Sequence, residues 1–449
     1  MKRSLLLACG VATLLASSRA SADVKMPAVF ASHMVVQRQM PLTIWGYAEA
    51  DESVTVSFGG KTATAKADEK GKWKVSLPKF EANAKGQTMT VKGNNTVELV
   101  DILVGEVWLG SGQSNMEWSV AGSSKAKETI GSANHPTIRL LHVKKVQANA
   151  PAKDVQLDAP WSVCSPKTVP NFSAVLYNFG VRIQKELDVP VGLINSSWGG
   201  SPIQPWTVED KGSGGMHNAM IAPLQPVALR GILWYQGESN MSEGMVYHDR
   251  TEKLVKGWRK TFEQKELPFF YVQIAPFSGY GKASLPRLWE AQTASLKIPH
   301  TGMAVITDLV DNVGDIHPVN KIDVGNRLAL WALAKTYGKK DVVYSGPLYK
   351  SMKAEDGKVR VSFAHTGGGL KSRDGKDLSS FEIAGEDGKF VPAKAVIDGK
   401  EVVVSSSDVE KPTQVRFGWT NTANPNLSNK EGLPAGPFRS KDWKGGTGE

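Results

Sequence analysis

The residues best placed to do chemistry lie in Gly110-Ser111-Gly112-Gln113-Ser114-Asn115-Met116-Glu117, directly after the apolar run Ile102-Leu103-Val104-Gly105-Glu106-Val107-Trp108-Leu109. That run has the make-up of a buried central strand, and glycines at 110 and 112 allow a tight turn behind it. Ser114 therefore falls where a strand hands over to a helix. In open α/β sheets ligands bind at that end of the strands, close to unpaired helix N-terminal N–H groups. The string would also suit an ordinary N-cap serine, so it needs partners. Two further stretches supply them. Residues 231–240, Gly-Ile-Leu-Trp-Tyr-Gln-Gly-Glu-Ser-Asn, run from an apolar strand into a polar turn, as do residues 303–320, which end in Asp315-Ile316-His317-Pro318-Val319-Asn320. One rim of one sheet would then gather a nucleophile, carboxylates and a base. A serine hydroxyl attacks an ester only when a base takes its proton. Of the eight histidines, His317 alone follows a buried-strand pattern in a loop with nearby carboxylates.

With these stretches the chain resembles the sialate O-acetylesterase family, within the SGNH (GDSL-like) hydrolases. The resemblance is carried by Phe30-Ala31-Ser32-His33-Met34-Val35-Val36-Gln37, Gly105-Glu106-Val107-Trp108, Gly112 to Glu117, Trp198-Gly199-Gly200-Ser201, Trp234 to Asn240, Ile316-His317-Pro318 with Asn320-Lys321, and Gly432-Leu433-Pro434-Ala435. It implies a flavodoxin-like, three-layer α/β/α catalytic domain flanked by N-terminal and C-terminal β-rich regions, and serine hydrolysis of acetyl esters on sugars. Ser114 would be the nucleophile and His317 the base. The resemblance leaves the orienting acid open between Asp315, two residues before the histidine, and Glu238 of the Gln-Gly-Glu motif. In the wider superfamily the acid stands three residues before the histidine, and here that position is Gly314. Asp315 is favoured, with Glu238 close behind.

Donors for the negative oxygen of a tetrahedral intermediate are expected from the backbone N–H of Ser114, from Gly199 or Gly200, and from the Gln236 amide, with Gln113 and Asn240 as neighbouring substrate-binding candidates. Two positions depart from the family's pattern. His217 stands where tyrosine is usual and Trp289 where arginine is frequent, and only Pro202 to His217 separates the Gly-Gly loop from Asn218-Ala219-Met220, where many members carry a large β insertion. No His-Glu-x-x-His pair, cysteine cluster, Asp-rich calcium loop or glycine-rich phosphate cradle occurs, so neither metal nor cofactor is expected and water is the second substrate.

The elements that must position these residues follow from hydrophobic period. Residues 23–100 alternate in short runs (Val54, Val56, Phe58; Trp73, Val75, Leu77), which predicts a β-rich N-terminal domain. From 101 to 340 strand runs at 138–143, 191–195, 231–236, 269–275 and 303–308 alternate with helical stripes. The stripes are Val175, Phe179, Ile183 and Leu187; Leu254, Trp258 and Phe262; and Val324, Leu328 and Trp331. This is the pattern of a βαβ domain. Period two returns over 341–449, with Val359, Val361 and Phe363 and an Asp398-Gly399 hairpin turn.

Composition narrows the partners. Lys2-Arg3, the apolar stretch Leu5 to Leu15 and Ala20-Ser21-Ala22 read as a secretory leader over 1–22, which predicts an exported, periplasmic or secreted chain starting near Asp23. Cys9 lies too close to the basic pair for a well-formed lipoprotein leader, and without the leader Cys164 is the sole thiol. The formal charge of +10 falls to +7 when Lys2, Arg3 and Arg19 leave, and the lysines are scattered, which argues against nucleic acid. No stretch reaches the roughly 18 apolar residues of a membrane span. The expected partners are an acetylated carbohydrate (sialic acid, or xylan and other hemicelluloses) and water, with oligomeric state left open. Rival readings are a lipase-like or arylesterase activity on other esters, and an inactive sugar-binding protein using the thirteen tryptophans as stacking platforms.

Overall fold

The computed structural model describes residues 23–209, 212–281 and 285–440; the expected leader, 1–22, lies outside them. Seven strands form the central sheet: β1 (Thr96–Gly112), β2 (His135–Val143), β3 (Leu157–Cys164), β4 (Val191–Ser197), β5 (Gly231–Tyr235), β6 (Phe269–Val272) and β7 (Thr301–Ala304). Their order is β7-β6-β5-β1-β4-β2-β3, parallel throughout except for β3 at the edge. The fold is thus mixed α/β with a mostly parallel sheet.

Counted without β2 and β3, which extend the sheet beyond β4, the strands run in the order 2-1-3-4-5 of a flavodoxin-like sheet. Here the first strand lies between the fourth and fifth elements of the chain, β4 and β5, and β2 sits one place further out. The physical reason is the connection. Only short helices, α1 (Ser114–Glu117) and α2 (Ala126–Gly131), link β1 to β2, which skips a position. Helix α3 (Ala174–Leu187) then returns the chain so that β4 fills the gap.

Helices cover both faces. On β6, adjacent residues point to opposite sides, and Phe269 packs with Trp234 and with Trp258 of α4 (Val246–Thr261). Phe270 instead meets Trp108 and Trp331 of α6 (Lys321–Trp331). Trp108 also packs edge-on against Phe179 of α3. Each expected helical stripe is therefore a buried face, since Val175, Phe179, Ile183, Leu254, Trp258, Val324 and Leu328 are all 0% exposed. Helix α5 (Leu285–Ala294) packs beside α4.

The strands end earlier than their apolar runs. β6 stops at Val272 and β7 at Ala304, and the chain beyond β7 is held as coil by Arg327, which donates to the Val305 carbonyl at 2.7 Å and to both Asp308 oxygens at 2.6 Å. That bidentate pair fixes the start of the loop leading to His317 onto α6.

The boundary expected at 100 and 101 falls inside β1. Its first half pairs with Asn83–Lys92 and with Val35–Gln37, its second half with β4 and β5, and the handover comes at Gly105-Glu106. One apolar core accordingly runs from the N-terminal strands into the central sheet, whereas the C-terminal strands close on a core of their own around Val361, Ile383, Val404 and Phe417. The Asp398-Gly399 hairpin joins Lys394–Asp398 to Glu401–Ser405.

Candidate active site

Ser114 opens α1 at the carboxyl end of β1 because the backbone reverses at Gly112. Gly112 has φ +135°, and a Cβ there would sit 2.1 Å from the Tyr235 carbonyl oxygen, so no other residue fits without displacing β5. The turn is fixed from below: Gln113 N–H donates to Tyr235 O at 3.0 Å, Ser173 Oγ to Met116 O at 2.6 Å, and Ala174 N–H to Trp118 O at 2.8 Å.

His317 arrives from the other side of the sheet, in the loop between β7 and α6. Its Nε2 lies 2.8 Å from Ser114 Oγ across 203 residues of chain. Its ring stacks on Trp118, with centroids 4.8 Å apart and planes 19° from parallel. The loop is built from side-chain turns: Asn312 Oδ1 accepts from Gly314 N–H at 2.9 Å and Asp315 Oδ1 from His317 N–H at 2.8 Å. Asn320 then caps α6, accepting from Asp323 N–H at 3.1 Å.

The two candidate acids are placed differently. Asp315 Oδ1 is 3.6 Å from His317 Nδ1, longer than a formed hydrogen bond, and its side chain is 53% exposed. Among the described residues it is the carboxylate within 4.0 Å of that ring. Glu238 does not reach the histidine. It lies buried beside Asn115, where Oε1 accepts from Asn115 Nδ2 at 2.6 Å and Oε2 has no hydrogen-bond partner among the described residues.

Asn115 links the parts. Its Nδ2 also donates to Ile316 O at 3.1 Å, and its Oδ1 accepts from Lys321 Nζ. Lys321 is 0% exposed, with its ammonium 5.8 Å from the Trp118 ring centre and 5.4 Å from that of Tyr235. Burial pushes its pKa down to about 7, against the opposing pull of Glu238 and Asp315. Burial likewise pushes the Glu238 carboxyl up. His317 is lowered, first by burial and then by the Lys321 charge, with Asp315 opposing. The imidazole is therefore held in the neutral form, able to take a proton, to lower pH than a free histidine.

The expected oxyanion donors divide. Gly199 N–H is already committed to Glu117 Oε2 at 2.6 Å, and Glu117 Oε1 is paired with Lys145. The fully buried Gln236 amide donates to Gln113 Oε1, Ser201 O and Asn240 Oδ1 at 3.0, 3.3 and 2.8 Å. Gln113 Oε1 also accepts from Ser239 N–H at 3.2 Å, and Asn240 Nδ2 donates to Gln204 and Glu243. Gly199, Gln236 and Asn240 thus frame the site rather than pointing donors into it. Among the described residues neither Ser114 N–H, first in its helix, nor Gly200 N–H has an acceptor. A Cβ placed on Gly199 would lie 3.5 Å from Ser114 Cβ, which puts this loop against the nucleophile.

Three contributors had no role assigned from sequence: Lys321, Glu117 and Trp118. Lys321 and Glu117 stood inside quoted motifs, which was the available signal. Of the two departures, Trp289 is fully buried with its Nε1 donating to Ile274 O at 2.7 Å, and His217 is buried against Thr261. Among the described residues no group of three or more His, Cys, Asp or Glu side chains could hold a metal, and no helix is long and apolar enough to cross a membrane. Trp108, Trp206, Trp234, Trp258 and Trp289 are core residues rather than platforms.

Residues 104–334 match the family model described as carbohydrate esterase, sialic acid-specific acetylesterase. The sialate O-acetylesterase of Homo sapiens is 31% identical, with 90% of each chain covered, and that of Mus musculus 28% identical, covering 87% of this chain and 88% of its own. The crystal structure of a carbohydrate acetylesterase from Xanthomonas citri superposes with a TM-score of 0.90 at 37% identity, covering 94% of this chain and 100% of that one.

Proposed function

The chain belongs to the sialic acid-specific acetylesterase family of carbohydrate esterases, and from that premise we propose that it removes O-acetyl groups from sugars by a Ser114–His317 hydrolytic mechanism. The observation that carries the mechanism is the 2.8 Å contact between Ser114 Oγ and His317 Nε2. Ser114 Oγ attacks the acetyl carbonyl carbon as its proton passes to Nε2. The tetrahedral oxyanion forms toward the Ser114 and Gly200 N–H groups, and its collapse breaks the bond to the sugar oxygen, which leaves with the proton from His317. Water, deprotonated by the same nitrogen, then attacks the acetyl-serine and releases acetate.

For Nε2 to accept, Nδ1 must carry the proton, and the atom it faces is Asp315 Oδ1 at 3.6 Å. Asp315 is the orienting acid in this reading, closing on Nδ1 as the imidazolium forms. Glu238 is assigned to the support of Asn115. The SGNH assignment is supported by the serine at the first strand's end and the histidine in the loop before the last helix. Export after cleavage near Ala22 is part of the same proposal, supported by the leader-like sequence.

The names of the mammalian relatives make O-acetylated sialic acid the first substrate to test and acetylated xylan the second. The decisive experiment measures acetate released from both, by the native enzyme and by Ser114→Ala. Loss of a triad nucleophile costs on the order of a million-fold in turnover. A Ser114→Ala enzyme that still turns over at the native rate overturns the mechanism. Preference for long acyl esters over acetylated sugars overturns the substrate class.

A further inference from the structure

Away from the catalytic rim, a cleft of about 740 Å³ opens between the N-terminal strands Leu42–Tyr47 and Lys72–Leu77 and the carboxyl end of α4. None of Ser114, Asp315 or His317 lines it. The volume is that of a small-molecule site. Its lining includes two side chains that are more than nine-tenths buried and carry an unpartnered polar atom, Trp73 at 2% exposure and His217 at 3%.

The state of each atom follows from its neighbours. Thr261 Oγ1 donates its proton to Gly257 O at 3.1 Å, so it accepts from His217 Nε2 at 2.9 Å. His217 Nδ1 is then a bare acceptor. Burial pushes this histidine down to about 4, so it stays neutral at physiological pH. Trp73 Nε1–H is the complementary case, a donor without an acceptor among the described residues. Buried polar groups left unpaired are costly, and sugar hydroxyls are groups that can both accept from such a donor and donate to such an acceptor.

Two further features narrow the occupant. Trp45, half-buried, and Tyr47 present aromatic surface on the same lining, and Phe30 holds Trp45 edge-on at 4.5 Å. Lys72, Lys74, Lys153 and Lys260 line the cleft, and Asp68 is the carboxylate among its described lining residues. Aromatic surface suits the apolar face of a sugar ring, hydroxyl-matching groups suit its edge, and the basic surround suits a carboxylate.

We propose that this cleft is an accessory saccharide-binding site that takes an acidic sugar unit. It gives the enzyme a second hold on a glycan while the acetylated unit occupies the catalytic rim. The site involves no bond-making, and it stands independently of the serine mechanism.

The test titrates glucuronate into the full chain, followed by calorimetry and by saturation-transfer NMR, with glucose as the neutral control. Glucuronate is expected to bind and glucose to bind at least about tenfold more weakly, a ratio worth little more than one lost charge contact. His217→Phe, which keeps the ring and removes the acceptor, and Trp45→Ala should each weaken glucuronate about tenfold, within the range of one hydrogen bond or one stack. Lys72→Gln with Lys74→Gln, on an exposed strand face, gives a variant that does not touch the core. All should keep native turnover on a small soluble ester such as 4-nitrophenyl acetate, which separates this site from the catalytic one. Absence of glucuronate binding, equal binding of glucose, or binding unchanged in folded His217→Phe, Trp45→Ala and double-lysine variants would each overturn the proposal.

Discussion

His317 sets the pH expectation at the scale of single residues. Its pKa is lowered from 6.5 by burial and by the Lys321 charge, and the neutral imidazole is the competent base. The acid limb of kcat/KM should therefore lie below 6.5. Lys321→Met removes the nearby positive charge, so the limb should move upward, and circular dichroism would confirm that the fold persists. A limb that stays in place would show that His317 does not feel the ammonium. The two acids separate by a different readout. Amide replacement of a buried orienting aspartate costs about ten-thousand-fold in a well-studied serine protease. Asp315 is half in solvent and 3.6 Å from the ring, so Asp315→Asn should cost less than that, yet more turnover than Glu238→Gln. Glu238→Gln should lower the melting temperature more, because it takes from Lys321 the larger of its two counter-charges. The reverse order in turnover would move the orienting role to Glu238. At this scale the gathering of Ser114, His317 and Asp315 was legible because polar residues after apolar strands can point only to the rim. Lys321 was not, since a lysine in the first turn of a helix reads as solvated until Asn115, Trp118 and Tyr235 are seen to enclose it.

Elements were legible where period and burial agree. The α3 and α4 stripes and the paired alternations around Asp398-Gly399 are buried faces in the structure, because residues at those spacings share a side. The place of β2 and β3 beyond β4 was not legible: nothing in the residues between β1 and β2 says that their short helices skip a place for β4. Nor was the true reason for Gly110, which the sequence placed in the turn together with Gly112. Gly110 lies inside β1, where a Cβ would press on Leu176 at 2.9 Å, whereas Gly112 makes the turn. That difference is testable. Gly112→Ala combines φ +135° with a Cβ 2.1 Å from Tyr235 O and should destabilise by at least about 2 kcal/mol. Gly131, at the end of α2, has nothing within 4 Å of its Cβ position, so Gly131→Ala should be neutral or stabilise by up to about 1 kcal/mol. Urea midpoints for the two variants check both, and a Gly112→Ala midpoint equal to native would mean the β1–β5 approach is softer than the geometry states.

For the whole molecule, the N-terminal strands share a core with the catalytic sheet through β1 and cannot be treated as an appendage, while the C-terminal strands fold around their own core and are tied back by contacts such as the bidentate Arg439–Glu290 pair at 2.8 Å. The Arg38–Glu106–Arg230 cluster pins the N-terminal segment to the base of β1 and β5, with Glu106 0% exposed. A globule assembled this way protects the thiol of Cys164. Cys164 lies on β3, 0% exposed, and burial pushes its pKa up to about 12, so the thiolate needed for reaction is scarce at neutral pH. The same chemistry reports on the leader, because the sequence holds two cysteines and Cys9 is within residues 1–22. The enzyme purified from its exporting host should show no thiol reactive to Ellman's reagent when native, and one per chain once unfolded in urea. Two thiols on unfolding would mean that Cys9 and the leader are retained. One that reacts in the native state would mean that the β3 edge opens, and the burial argued for Cys164 would fail with it.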